Sequence, residues 1–303
     1  MLTAIRKKLG LKVSLTLALV MLVLTAVVAT YITFDQTATL EQSILKKAQL
    51  AANLGAQSYG AVLEQAADNG LLTISDVFDT NYQVVPGWDW GQNPKYHTKY
   101  DVVTDNATIV VLDKFLDDKD FIYAIGADRN GYVPTHNSIF NQPLTGNATE
   151  DLANSRSKRI FKDPVALAIT KSTEDGFQQV YKRDTGEVMW DVSSPIMVKG
   201  KPWGHFRLGV SLHNIEAAKA HLGMSLFGLF TAFAAVVVGT IMVLIRRAIR
   251  PVEILTAAAD NISMGEGLDE PLKPETIDEI GVLTKSVDRL RLSMRSAMQR
   301  LGE

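Results

Sequence analysis

Two long apolar runs divide the chain. No charged residue lies between Lys12 and Asp35, or between Lys219 and Arg246. Each run is about 20 residues long, the length that an α-helix needs to cross the hydrocarbon core of a membrane. The pattern therefore predicts transmembrane helices over residues 13–34 and 222–245, with a segment before them (1–12), a region between them (35–221) and a region after them (246–303).

Basic residues flank the outer ends of both runs. Arg6–Lys8 precede the first run, and Arg246, Arg247 and Arg250 follow the second. Because basic residues collect on the cytoplasmic side of a membrane, both termini are predicted to be cytoplasmic. A cleaved signal peptide is the alternative for the first run, but the run exceeds the roughly 7–15 apolar residues of such peptides. The alternative for the second run, a buried core helix, is disfavoured by its length and by the arginines that end it.

The region 35–221 begins with helical periodicity and continues with strand patterns. Apolar residues at helical spacing predict a long helix over 37–68, and a shorter helix is predicted over 105–115. Alternating and β-branched segments predict strands over 121–127, 132–136, 177–182, 188–192, 196–198 and 205–212. Asn130-Gly131 predicts a hairpin between the first two of these strands. Helices followed by antiparallel strands indicate an α+β domain.

The C-terminal region has two heptad seams. Val252, Leu255, Ala259 and Ile262 form the first, and the second runs from Ile280 to Leu301. A linker over 265–277, rich in Gly and Pro, separates them and cannot be helical throughout. Two parallel helices cannot bury both seams alone, so a homodimer that forms a parallel four-helix bundle is predicted.

These residues resemble a HAMP domain. The resemblance rests on Arg250-Pro251, the small Ala259 in the first seam, Gly265, and Asp278-Glu279-Ile280-Gly281 at the start of the second helix. It implies an all-α parallel coiled coil that converts motion of a membrane helix into a change of packing. The core residues that it implies are Pro251, Val252, Leu255, Ala259, Ile262, Glu279, Ile280, Leu283, Val287 and Leu290.

The region between the two runs resembles the single-Cache, PAS-like sensor domains of bacterial chemoreceptors. The segments that carry the resemblance are 78–82, Pro86-Gly87, 128–137, 157–161, 191–196 and 203–209. The whole chain is thus similar to the N-terminal half of a methyl-accepting chemotaxis protein without its signalling hairpin. This implies a receptor in a bacterial inner (plasma) membrane, with the Cache-like domain in the periplasm or outside the cell.

Composition narrows the chemistry. The chain has no cysteine, which excludes disulfides, thiol nucleophiles and cysteine-ligated metals, and its formal charge of −2 argues against nucleic-acid binding. The 5 histidines have no metal-ligand spacing, and no catalytic motif is evident. No catalytic residue, metal or cofactor is therefore expected, and the chain is not predicted to be an enzyme.

Candidate ligand contacts come from residues that recognise anions or wall a pocket. Arg129, Arg156, Arg159, Arg183 and Arg207 offer planar forks for a carboxylate or phosphate. The candidate ligand-binding set is Arg129, Tyr132, His136, Arg159, Tyr181, Arg183 and Trp190, which favours an anionic small molecule. The alternative is that the arginines lie on the surface and the aromatic residues in the core.

The leading hypothesis is a dimeric receptor that acts on a separately encoded cytoplasmic kinase, phosphatase or similar protein docked on the HAMP bundle. Gly302 directly after the second seam favours a natural end at Glu303. A truncated chemoreceptor or sensor kinase is one alternative. A membrane scaffold or regulatory subunit that binds no ligand is another, and an enzyme is the weakest.

Overall fold

The structure is a computed structural model that describes residues 9–86 and 93–301. Arg6–Lys8, Gly87 and Gly302, which enter the interpretation of the sequence, lie outside the described residues. The helices are α1 (Leu9–Asp68), α2 (Ile74–Val77), α3 (Asp101–Lys114), α4 (Ala148–Asn154), α5 (Pro164–Ile169), α6 (Leu212–Ser263) and α7 (Glu279–Leu301). The strands are β1 (Gln83–Val84), β2 (Tyr96–His97), β3 (Phe121–Asp128), β4 (Tyr132–Val133), β5 (Arg159–Ile160), β6 (Phe177–Lys182), β7 (Val188–Val198) and β8 (Lys201–Ser211). Short 3-10 helices occupy Phe115–Asp117 and Ser138–Phe140.

The chain divides into two compact units. The central unit comprises residues 34–223, and the flanking unit comprises residues 1–33 and 224–303. The two long helices, α1 and α6, each contain an 18-residue window of mean hydropathy 2.5, and only 11% and 0% of those windows are buried. Both helices are therefore long and apolar enough to cross a membrane, and neither window is packed as the core helix of a soluble protein would be.

An antiparallel sheet of four strands, in the order β3-β8-β7-β6, organises the central unit. One face packs against α1, where Ala48, Ala52 and Ala56 recur every fourth residue and are all buried. Small residues allow the helix to approach closely, and a side chain at Gly55 would overlap the ring of Phe206 on β8. This arrangement confirms the predicted helix over 37–68, which is the second half of the longer α1.

The strand predictions are largely confirmed, although β4 ends at Val133 rather than at residue 136 and β8 begins at Lys201 rather than at residue 205. Residues 188–192 and 196–198 belong to one strand, β7, although Pro195 lies within it. Pro195 is tolerated because β6 pairs with β7 only as far as Ser193, so β7 has no β6 partner at the proline. The shorter predicted helix is α3, which begins earlier, at Asp101.

The predicted hairpin at Asn130-Gly131 is confirmed only in part, because among the described residues its two arms pair through a single antiparallel bridge, between Ile125 and His136. The turn exists, because the Asp128 carboxylate accepts hydrogen bonds from the backbone N–H groups of Asn130 and Tyr132 at 2.8 and 2.9 Å. However, β3 pairs with β8, and β4 pairs with β5. The backbone N–H of Phe161 donates to the carbonyl oxygen of Gly131 at 2.9 Å, so a distant segment supplies most of the pairing that follows the turn.

Candidate functional site

A small cavity lies on the sheet face opposite α1. Alternation along β8 produces this arrangement, because Phe206 and Leu208 point into the core beneath α1 while Arg207 points to the other face. The cavity is lined by Tyr123, Ile125, His136, Arg156, Phe161, Tyr181, Arg183 and Arg207. Its volume is about 20 Å³, which is space for one water molecule.

Three buried arginines dominate this cavity. Arg156, Arg183 and Arg207 are 3%, 5% and 4% exposed, which is rare for arginine unless it is paired. Arg207 Nε donates to the fully buried Asp191 carboxylate at 2.9 Å. Among the described residues, Nη2 of Arg183 is buried and has no hydrogen-bond partner.

The other two arginines are paired with acids at the surface. Arg156 Nη1 lies 2.8 Å from Asp184 Oδ1, and Arg183 Nη1 lies 3.1 Å from Glu187 Oε2. The Asp184 and Glu187 side chains are 34% and 56% exposed, so water screens their charges more than it screens the arginines. The cavity therefore has a positive potential that its counter-ions neutralise only in part.

The pKa shifts of nearby groups agree with this excess of positive charge. Burial, and then the charges of Arg156 and Arg183, lower the pKa of His136 well below its ordinary value, which keeps its imidazole neutral. Burial, and then Arg156, also lower the pKa of Arg159 to about 10. An anion in the cavity would relieve the repulsion that these shifts report.

Aromatic rings orient the guanidinium groups. The Phe161 ring lies 5.1 Å from the guanidinium of Arg156 and 5.0 Å from that of Arg159. The guanidinium of Arg183 lies 4.0 Å from the centre of the Phe140 ring. Such stacking leaves the edges of a guanidinium, which carry its N–H donors, free to meet a ligand.

The structure brings some of the candidate residues together and separates others. His136, Tyr181 and Arg183 line the cavity. Arg159 lies beside it, stacked on Phe161 and 3.6 Å from Asp184.

The remaining candidates lie elsewhere. Tyr132 is buried on the α1 side of the sheet, where its hydroxyl donates to Asp101 at 2.5 Å. Trp190 belongs to the same core, and Arg129 is exposed and donates to the carbonyl oxygen of Phe78 at 3.2 Å. The candidate ligand-binding set omits Arg156 and Arg207, although both are among the five arginines that the sequence offers as forks for an anion. Within the described ranges, no three His, Asp or Glu side chains form a group that could hold a metal ion.

In the flanking unit, the segment between α6 and α7 runs back along α7. Its start approaches the end of α7, since a Cβ at Gly265 would lie 3.6 Å from the Met298 methyl group. Farther along, the Leu268 carbonyl accepts from Arg291 at 2.5 Å, and Leu272 N–H donates to Asp288 at 2.9 Å. The C-terminal ends of α6 and α7 therefore lie close together. This is the arrangement that two parallel helices joined by a long connector require.

Residues 243–302 match the family model of the HAMP domain. The segment 264–278 between α6 and α7 is the connector of this domain. It is held by Arg291, which is only 4% exposed and also donates to Asp288 at 2.8 Å. Hydrogen bonds from Arg291, and then from the backbone of Leu272, lower the pKa of Asp288. A HAMP domain beside two helices able to span a membrane is the arrangement of a signal-transduction receptor in a membrane.

The HAMP seam residues are unequally buried within one chain. Leu255 and Ile262 of α6 are 7% and 4% exposed. In contrast, Leu283 and Leu290 of α7 remain 45% and 59% exposed, although they occupy seam positions. Pro251, Val252, Ala259, Ile280 and Val287 are partly buried, and Glu279 is exposed.

Three solved structures resemble the chain at low identity. The sensor domain of the histidine kinase DctB from V. cholerae is 14% identical, with a TM-score of 0.36 and coverage of 62% of this chain and 57% of that one. The sensory domain of the Campylobacter jejuni chemoreceptor Tlp3 with isoleucine bound is 13% identical, with a TM-score of 0.28 and coverage of 61% and 66%. The ligand-binding domain of the Pseudomonas aeruginosa amino acid chemoreceptor PctC in complex with GABA is 14% identical, with a TM-score of 0.24 and coverage of 56% and 67%.

The chain spans less than two thirds of the length of the first two of these structures. Likenesses at such TM-scores do not establish a shared ligand. No curated protein matches the chain.

Proposed function

We propose that the chain is a transmembrane sensory receptor that binds a small anionic molecule through its central unit. The observation that carries the proposal is the cavity lined by Arg156, Arg183 and Arg207, whose charges are incompletely neutralised in a poorly solvated place. The receptor lies in a bacterial inner (plasma) membrane. Its termini are cytoplasmic and its Cache-like central unit is in the periplasm or outside the cell.

The arginines favour a carboxylate or another planar or tetrahedral oxyanion. A guanidinium presents paired donors that match two oxygens of one carboxylate. Arg183 already has a donor, Nη2, without a partner among the described residues, and an incoming oxygen would satisfy it. Tyr123, Tyr181 and Phe161 would enclose the apolar part of the ligand.

Strand β8 supplies a route from the cavity to the membrane helix. Arg207 lies on β8, which ends at Ser211, and α6 begins at Leu212. The Ser211 N–H donates to the carbonyl oxygen of Asp120 at 3.1 Å, and Asn214 Nδ2 donates to that of Lys119 at 2.9 Å. Because β8 continues directly into α6, a shift of β8 on ligand binding would reach the start of α6.

The output is a change in HAMP packing within a homodimer. Leu283 and Leu290 are exposed in one chain, and burying them against a second copy would complete the seam. Ala259 leaves that seam underfilled, which brings two packing arrangements close in free energy. A cytoplasmic kinase, phosphatase or similar signalling protein or domain then responds to the arrangement that the ligand favours.

The test is anion binding by the full chain in lipid nanodiscs. Acetate, succinate and sulfate, at constant ionic strength, are screened by the shift in thermal unfolding of the central unit. A ligand at 100 times its Kd adds about 2.7 kcal/mol of stability. Arg183→Met should abolish the shift, whereas Arg129→Met, which removes an exposed arginine away from the cavity, should preserve it.

Two controls sharpen this screen. Arg183→Lys keeps the buried charge but loses the fork, so it should weaken the response to carboxylates without unfolding the unit. Absence of any response in the unmodified chain would contradict ligand binding at this cavity. It would favour a membrane scaffold or regulatory subunit.

A further inference from the structure

The tip of the β6–β7 hairpin holds two of the three cavity arginines. Asp184 Oδ1 lies 2.8 Å from Arg156 Nη1, and Glu187 Oε2 lies 3.1 Å from Arg183 Nη1. Asp184 Oδ2 also lies 3.6 Å from Arg159 Nη2. A single exposed turn therefore supplies carboxylates to Arg183 directly after β6, to Arg159 on β5 and to Arg156 just before it.

This tip, which lies beside the cavity and pairs with two of its lining arginines, can move at low cost. Residues 184–188 are all exposed, and Gly186 at the turn has a φ of +94°. In contrast, Arg207 is fixed by Asp191, which is fully buried. Exposed turns with few buried contacts open with the smallest free energies, so the tip opens before the sheet does.

The cavity has to enlarge before it can accept an anion. Its volume of about 20 Å³ accommodates one water molecule, whereas even acetate has four non-hydrogen atoms. Withdrawal of the Asp184 carboxylate would release an Nη1 donor of Arg156 and would allow this side chain, which lines the cavity, to move and provide space. Both requirements for binding are thus met by displacement of the same turn.

We infer that the β6–β7 tip is a tethered competitor, in which Asp184 and Glu187 occupy the arginines that an anionic ligand takes. This inference rests on the proposed function and adds its regulation. Ligand binding exchanges two intramolecular carboxylates for an external one and releases the tip. The apparent affinity is lower than the affinity of the open site by the fraction of molecules in which the tip is open.

The first experiment removes the competing charges. Asp184→Asn and Glu187→Gln are compared with Glu174→Gln, which removes the same charge from an exposed position outside the cavity. The dissociation constants of acetate, succinate and sulfate are measured by calorimetry on the full chain in nanodiscs. We expect the first two variants to bind the responding anion about 2- to 10-fold more tightly than the unmodified chain. The Glu174→Gln variant should match the unmodified chain.

The second experiment follows the tip directly. Because the chain has no cysteine, Thr185→Cys gives a single position for a nitroxide label on the exposed turn. Addition of the responding anion should increase the mobility of this label. The measurement remains informative if Asp184→Asn lowers the stability of the protein, since it leaves both acids in place.

The outcomes separate the two proposals. Tighter binding by the tip variants, together with a more mobile label, supports the tethered competitor. Binding by the unmodified chain that Asp184→Asn and Glu187→Gln do not strengthen, or a label that becomes less mobile, overturns the competitor but leaves the anion site intact. Absence of anion binding by the unmodified chain and by every variant overturns both.

Discussion

The buried pair of Asp191 and Arg207 beside the cavity allows a quantitative prediction. In the Arg207→Met variant, Asp191 loses both of its hydrogen bonds, because its Oδ2 accepts only from Arg207 and its Oδ1 has no partner among the described residues. Asp191 is 0% exposed, so water cannot replace the arginine without opening the sheet. Removing one member of a buried pair typically costs about 3–5 kcal/mol, since the other charge remains without compensation.

A double variant separates the cost of the stranded charge from the cost of losing the arginine itself. Arg207→Met/Asp191→Leu removes both charges of the pair, so it should recover most of the stability that Arg207→Met loses.

The assay is thermal unfolding followed by tryptophan fluorescence. All 4 tryptophans of the chain lie within residues 35–221, so the signal reports the central unit alone. For a domain of this size, about 3–5 kcal/mol corresponds to a fall in Tm of roughly 6–20 °C. The reasoning is refuted if Arg207→Met costs less than about 1 kcal/mol at pH 7. A double variant no more stable than the single one would refute it as well.

Three further predictions concern pH and the HAMP domain. Burial lowers the folded-state pKa of His136 and His205, so the unfolded chain gains protons first and stability is lost as pH falls below about 6.5. The loss should approach about 2.7 kcal/mol per pH unit in unfolding titrations, and the double variant His136→Gln/His205→Gln should flatten it. Arg291→Met should free the connector, and limited proteolysis should then cut within 264–278 faster than in the unmodified chain. Ala259→Leu should overfill the seam, cost about 1–3 kcal/mol and change the pattern of cysteine crosslinks between HAMP helices, whereas an unchanged pattern would contradict packing-based signalling.

The long elements were predictable because their patterns are local. The apolar runs, the heptad seams and the alternation along β8 each express contacts that recur at the period of one helix or strand. The hairpin at Asn130-Gly131 forms only one bridge, between Ile125 and His136, for the opposite reason. Its turn chemistry is correct, but the strand partner of Tyr132 is Ile160, and no local pattern specifies that pairing.

Helix α3 reverses the usual rule for amphipathic helices. Asp101, Thr104 and Thr108 face the interior, while Val102 and Val110 are 71% and 61% exposed. The polar face can be buried because its groups find partners. Asp101, for example, accepts from the Tyr132 hydroxyl and from the N–H of Thr98. Hydrophobic periodicity alone assigns the wrong face of this helix to the core, since the partners come from distant segments.

The cavity could not be predicted from the sequence, because it too depends on contacts between distant segments. Arg156 and Arg183 come together only because the segment before β5 folds over the sheet and turns sharply at Lys158, which has a φ of +63°. A left-handed conformation costs a residue with a side chain about 1–2 kcal/mol. The ion pairs of Lys158 with Asp105 at 2.5 Å and Asp101 at 3.3 Å offset this cost. The acids on α3 therefore hold the turn that directs Arg156 towards the cavity. The site thus depends on charged residues in the core beneath α1 as well as on the residues that line the cavity.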